Sequence, residues 1–369
     1  MEERPETGEV GSVREASMAS IVYGAATSHT PMLNVAAEEW PLFEELDRQR
    51  PHLFKDGRQA TYEELLALAP PSLQAELAPN TMARRHGEAM AALALLQQEL
   101  PAAALEAVIV IGDDQKEIYH DDLMPSVLVY RGETIANVSS HMRKSAPGWG
   151  KRPAWAQRAS ACYYEDADTR HYPVHARLAT HLIAALIDRE FDIASANALP
   201  EGEGEGHAFA FVHRRIMNGA SIPVVPVFLN TYYPPNQPSP RRCYRLGQAI
   251  REAVERYPDP LRIGVVASGG LSHFTVDEAL DGEVIRALRE KDARALEELP
   301  RDKLNSGSSE IRNWICAAGA LEYLNLRWVR YCPGYRTSAG TGTGLCFASF
   351  ESHGRIASAQ SSLWNCPTN

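Results

Sequence analysis

The chain has 369 residues, of which 44% are hydrophobic, 23% charged and 8% aromatic, with 25 glycines and 24 prolines. That composition lies close to ordinary globular usage and excludes a collagenous, coiled-coil or wholly disordered chain, while the length allows a core of enzyme size. Net charge is −10, from 37 basic against 47 acidic residues, so no nucleic acid is expected as the main partner.

The first 17 residues, MEERPETGEVGSVREAS, are polar and acidic and lack the apolar segment of a secretory signal. They read as a disordered N-terminal extension (1–17) ahead of Met18. A strand is predicted over 21–26, followed at once by Thr27-Ser28-His29-Thr30-Pro31. Residues 34–75 mix Pro, Glu and Leu without a clean period and read as a surface wrap. The alanine- and leucine-rich stretch 83–99 is predicted helical. A second strand, 107–112, runs into Gly112-Asp113-Asp114-Gln115, and a third spans 126–130. Residues 139–172 form a long insertion of the kind that serves as a lid or dimer arm. Leu178, Leu182 and Leu186 predict a helix over 176–189, and EGEGEG at 201–206 reads as a flexible acidic loop. Strands over 222–229 and 263–268 bracket a helix over 244–257, and the second of them ends in Ser268-Gly269-Gly270-Leu271-Ser272-His273. Helices over 282–299 and 309–324 follow, the last opened by Ser306-Gly307-Ser308-Ser309-Glu310.

Alternating strand and helix points to an α/β fold, with a central mixed sheet flanked by helices and long surface insertions. No linker divides the strand–helix blocks, so 18–369 reads as a single large domain, although length alone suggests two or three. Six scattered cysteines without a CxxC pair fit reduced thiols in a cytoplasmic protein. No run of 18 uncharged apolar residues occurs, so no membrane span is expected.

The motifs around His29, Gln115, His273 and Glu310 all stand at strand ends or helix starts, where α/β folds hold ligands. A histidine just past a buried strand is fixed by the strand and open to a cleft. A neutral imidazole there binds a divalent metal or moves a proton. Two histidines and a carboxylate on one face of an ion leave positions open, as oxygen-using ferrous enzymes require. Taken singly, the residues have plainer readings. His29 is then a strand-end histidine, Glu310 a charge favoured by the helix dipole, and Asp113 and Asp114 are turn caps. His171, His175 and His181 hint at a cluster, but His175 and His181 fall on different sides of a helix.

Taken in order, the motifs ATSHTPMLN (26–34), VIVIGDDQKE (108–117), HAFAFVHRRIM (207–217), PVFLNTYYPPNQP (226–238), RCYRLGQAI (242–250), VVASGGLSHF (265–274) and SGSSEIRNWICAAGAL (306–321) carry a resemblance. The sequence resembles the class III extradiol ring-cleavage dioxygenases, the superfamily of the protocatechuate 4,5-dioxygenase catalytic subunit, and within it the 3-O-methylgallate dioxygenase branch. By that resemblance His29 matches one imidazole ligand of a ferrous ion and Glu310 its carboxylate ligand. His273 matches the acid/base histidine that helps deprotonate the catechol and later returns a proton. Protocatechuate-type members carry Asn-Asp-His where this chain has Asp113-Asp114-Gln115, the form of the methylgallate-like branch. The second imidazole ligand is therefore a glutamine here. Either Gln115 takes that position, or His120, His175 or a water does.

Relatives also carry a further histidine a few residues before the match to His207, where this chain has EGEGEG. His207 is left as a substrate-binding candidate or a structural residue, and Ser272, Asp114 and His175 are the other substrate-binding candidates. The resemblance implies an Fe(II)-dependent extradiol dioxygenase that acts with O2 on a small catechol- or gallate-like diol, as a homodimer. The glutamine at 115 keeps two alternatives open on the same scaffold: a different iron-dependent oxygenase, or a non-catalytic binding protein.

Overall fold

The computed structural model describes residues 18–51, 53–144 and 149–352, so the predicted extension over 1–17 lies outside the described residues. Nine strands form one mixed sheet. In chain order they are β1 (Ser20–Thr27), β2 (Ala107–Asp113), β3 (Val127–Tyr130), β4 (Ala194–Ala196), β5 (Val224–Leu229), β6 (Arg262–Ser268), β7 (His273–Thr275), β8 (Asn325–Tyr335) and β9 (Thr341–Glu351). Their spatial order is β7-β9-β1-β6-β2-β5-β3-β4, with β8 paired to β9 beside that path. The central four, β1, β6, β2 and β5, run parallel, with Gly24 opposite Val265, Val265 opposite Ile109 and Ile109 opposite Val225. β9 runs antiparallel to β1, β7 and β8. Every residue of β2 and β5 is buried, as expected of parallel strands covered on both faces, which read as continuous apolar runs.

Among the helices are α1 (Pro79–Ala102), α2 (Ala176–Ile187), α3 (His207–Phe211), α4 (Pro240–Glu255), α5 (Glu278–Glu290) and α6 (Ile311–Ala320). One sheet face, with Ile109, Ile111, Val227 and Val265, packs on Leu178, Leu182 and Leu186 of α2 and on α4 and α6. The other face, with Val108, Val110, Phe228 and Val266, packs on Leu93, Leu96 and Leu100 of α1 and on Phe209 and Phe211 of α3. α1 starts with Pro79 in its first turn, where the missing N–H costs nothing, and buries Met82, Ala89, Leu93, Leu96 and Leu100 as one stripe. Among the described residues no helix is long and apolar enough to cross a membrane.

Several expectations change. The long helix predicted over 282–299 is broken at Lys291, which adopts a left-handed conformation. Asp292 then caps a separate short helix, Ala293–Glu297. Residues 34–75 do more than wrap the surface, because Trp40 and Asp47 are fully buried within them. The acidic loop at 201–206 is anchored, not free. Glu205 is fully buried, accepts from Asn137 Nδ2 at 2.9 Å and pairs with His213 Nδ1 at 2.8 Å.

Candidate active site

The parallel strands end at one edge of the sheet, so the residues following them converge. His29 follows β1, Gln115 follows β2, Tyr232 follows β5, and Gly269 and Gly270 follow β6. His207 opens α3, and Glu310 closes the 3-10 turn Ser306–Glu310 that leads into α6. His29, His207 and Glu310 bring one ligand atom each to within 4.8 Å of one another. His29 Nε2 lies 3.1 Å from His207 Nε2 and 3.2 Å from Glu310 Oε2.

The hydrogen bonds behind the two rings fix their tautomers. Ser268 Oγ donates to the Ala208 carbonyl at 2.6 Å, so at 3.1 Å it accepts from His29 Nδ1. His207 Nδ1 donates to Glu117 Oε2 at 2.6 Å. Each ring thus commits its Nδ1 proton outward and turns an Nε2 lone pair inward. Two lone pairs and a carboxylate oxygen at this spacing repel one another in a buried space unless a cation or proton sits among them. Ligand atoms about 2.1 Å from one ion and at right angles about it lie roughly 3 Å apart. The donor set of two imidazoles and one carboxylate therefore fits a divalent metal.

Local charges point the same way. Burial lowers the pKa of His29, and Glu310 offsets this only in part. Burial also disfavours charge on His207, but Glu117, with help from Asp113 and Glu310, outweighs it and raises this imidazole to about 9. Burial likewise opposes ionisation of Glu310, yet His273 and His29 hold its carboxyl well below the ordinary range. The neighbouring Asp113 is pushed well above its usual value by burial and by Glu310. The pocket thus concentrates negative charge on Glu310 and favours the neutral form of His29, whose Nε2 faces that carboxylate.

Both oxygens of Glu310 are held. Gly270 N donates to Oε2 at 2.8 Å, and Gln115 Nε2 and Tyr232 Oη donate to Oε1 at 2.9 and 3.2 Å. Because a carboxylate only accepts, the nitrogen end of the Gln115 amide must face it. Gln115 therefore turns an N–H, not a lone pair, towards the cluster, with Nε2 3.5 Å from His207 Nε2. Gly269 has φ +115°, and a Cβ there would stand 2.4 Å from Glu310 Oε2, so the position needs glycine. His273 donates from Nδ1 to the Leu271 carbonyl at 2.9 Å and turns Nε2 to Glu310 Oε1 at 3.1 Å. A cavity of about 910 Å³ opens onto His29, His207, Glu310 and His273 together. Trp155, Ala159 and Tyr163, from the long insertion 139–172, form part of its wall.

Three sequence candidates stand away from the cavity wall. Asp114 accepts the N–H groups of Glu117, Ile118 and Tyr119 and so caps the turn after β2. Ser272 donates to Asp281 Oδ2 at 2.7 Å and accepts from Asp277 N. His175 caps α2 through Nδ1, which accepts from Leu178 N at 3.2 Å, and that leaves it no part in a metal position. None of the three lines the cavity, whereas His120 does. The placing of His207 beside His29 and Glu310, with Glu117 behind it, is not foreseeable from spacing along the chain. The only signal was that both lie inside motifs of the resemblance.

The family described as the catalytic LigB subunit of aromatic ring-opening dioxygenase matches residues 70–345, well over half of the chain. That stretch contains Gln115, His207, His273 and Glu310, and His29 precedes it. The chain is also similar to a gallate dioxygenase of Pseudomonas putida, 38% identical over 101 residues, which is 27% of this chain and 28% of that protein. A second relative is the 2,3-dihydroxyphenylpropionate/2,3-dihydroxicinnamic acid 1,2-dioxygenase of Comamonas testosteroni, 25% identical over 182 residues, 49% of this chain and 47% of that protein. Each alignment spans less than half of the relative's length.

Proposed function

The chain belongs to the family of the catalytic LigB subunit of aromatic ring-opening dioxygenase, and on that premise we propose that it is an Fe(II)-dependent extradiol dioxygenase. Its substrate in this reading is a small catechol- or gallate-like diol, into which both atoms of O2 are inserted. The observation that carries the reading is the meeting of two inward Nε2 lone pairs and a carboxylate oxygen beside a fourth group, His273, at one cavity.

His29, His207 and Glu310 would hold the ferrous ion, which when bound would supply binding positions for diol and oxygen and the means to pass electrons between them. The chain's own residues do the rest. Glu117 fixes the His207 ring by accepting its Nδ1 proton, and Ser268 does the same for His29. Gln115, Tyr232 and Gly270 hold the Glu310 carboxylate in one orientation. With Nδ1 of His273 committed to the Leu271 carbonyl, Nε2, which faces Glu310 Oε1 at 3.1 Å, is the ring atom left to exchange a proton with a diol hydroxyl. Phe43, Trp155 and Phe274 on the wall suit an aromatic ring and keep water away from it.

Anaerobic reconstitution with ferrous ion, followed by oxygen uptake on a panel of catechols headed by gallate and 2,3-dihydroxyphenylpropionate, tests this. The expected product carries two added oxygen atoms and an opened ring. Exchanging His273 for Ala is expected to leave iron content intact and lower turnover by about 10²- to 10⁴-fold. Bound iron and an intact fold without oxygen uptake on any member of the panel contradict the proposal.

A further inference from the structure

Cations border the same cavity, and most of them are already engaged. Lys116 Nζ is 2.6 Å from Asp121. Arg336 forks onto both oxygens of the fully buried Asp47, Nη2 to Oδ1 at 2.7 Å and Nε to Oδ2 at 2.8 Å, and Thr341 Oγ1 donates to the same carboxylate at 2.6 Å. Arg50 differs. Its Nε donates to Asp47 Oδ1 at 3.1 Å, and its guanidinium lies 3.6 Å above the centre of the Phe274 ring. Its two terminal nitrogens make no hydrogen bond to the described residues. Its side chain keeps 31% of its surface accessible, and Arg50 lines the cavity.

Two guanidiniums thus share one carboxylate, and one positive charge is left over at the cavity wall. Burial, and then the neighbouring Arg336, both act against the Arg50 charge, so a bound anion would relieve both. The fork is clamped between Asp47 and Phe274, so little rotamer freedom is lost when it binds. Phe274 follows His273 in β7, with the two rings 5.3 Å apart. An anion on the fork therefore sits one aromatic ring away from the acid/base histidine.

We infer that Arg50 is the anion-anchoring residue of the cavity, and that the aromatic ligand carries a carboxylate that takes a two-pronged hydrogen bond from its free nitrogens. The inference rests on reading the cavity as the site of an aromatic diol, and it assigns which end of that diol points away from the metal. Planar guanidinium suits planar carboxylate, and charge-assisted pairs of this kind are short and strong.

Binding can be read without turnover. The full chain, loaded with zinc so that no oxygen chemistry occurs, is titrated calorimetrically with 3,4-dihydroxybenzoate and with catechol. Wild type is expected to prefer the carboxylated ligand. Arg50→Gln should reduce that preference roughly 10- to 100-fold, and Arg50→Lys, which keeps the charge but loses the fork, should reduce it less. Each variant's unfolding midpoint checks its fold, and Arg336 still satisfies Asp47 in both. Equal affinities in wild type, no binding of either ligand, or a preference unchanged by both substitutions overturns the inference. Selective binding lost in Arg50→Gln, in a protein that takes up no oxygen when loaded with iron, supports the anchor and contradicts only the ring-opening reading.

Discussion

At His207 the chain solves a problem that Gln115 poses. A glutamine whose N–H faces Glu310 offers no lone pair to the cluster, and the imidazole that lies 3.1 Å from His29 comes from the start of α3, 92 positions further along the chain. Neighbouring residues could not reveal this pairing, because it exists only once β2 and α3 are packed together. That His29, His273 and Glu310 meet at one cavity is legible in the sequence, since each sits in a motif fixed to a strand end or helix start. Asp114, Ser272 and His175 lie off the cavity for a physical reason: short polar side chains and imidazoles at such ends serve equally well as caps. Glu117 was invisible as a partner, yet its hydrogen bond sets the tautomer and raises the basicity of His207. Glu117→Gln is expected to weaken ferrous-ion affinity about 10- to 100-fold while the fold is kept. An anaerobic metal titration against wild type reads this, and unchanged affinity would leave Glu117 without that role.

Elements were legible in proportion to how cleanly burial writes itself into composition. The strands β1, β2, β3, β5 and β6 lie within two residues of their predicted bounds, because strands covered on both faces become unbroken runs such as AVIVIGD and VVPVFL. β8 and β9 escaped notice. NLRWVRYCPGY carries charges along a half-exposed strand, and TGTGLCFASFE is rich in Gly and Thr despite being buried almost throughout. The pairing of α4 with α6 could not be foreseen either. A Cβ on Gly247 would stand 1.9 Å from the Cys316 carbonyl oxygen, and one on Gly319 would stand 2.0 Å from that of Tyr244. The two helices touch backbone to backbone, which sets the position of α6 and hence of Glu310 directly before it. Gly319→Ala is expected to cost about 1–3 kcal/mol of stability through overpacking, read as a lowered midpoint in urea. A midpoint equal to that of wild type would mean that the contact relaxes without strain.

Across the whole molecule, four parallel strands bring their carboxyl ends to one sheet edge, and the segments between strands enclose what lies there. Residues 34–75 contribute Phe43, Leu46 and Arg50 to the cavity, and the insertion over 139–172 contributes Trp155 and Tyr163. The fold therefore brings the trio His29, His207 and Glu310 together with His273 and the Arg50 guanidinium at one cavity, from stretches scattered between residues 29 and 310. In the proposed function His207, and not Gln115, completes the metal centre with His29 and Glu310. Iron content after anaerobic loading, measured side by side for wild type, His207→Ala and Gln115→Ala, tests it most directly. Stoichiometric iron is expected in wild type and in Gln115→Ala, with little retained by a folded His207→Ala. Iron retained by His207→Ala and lost from Gln115→Ala would contradict it.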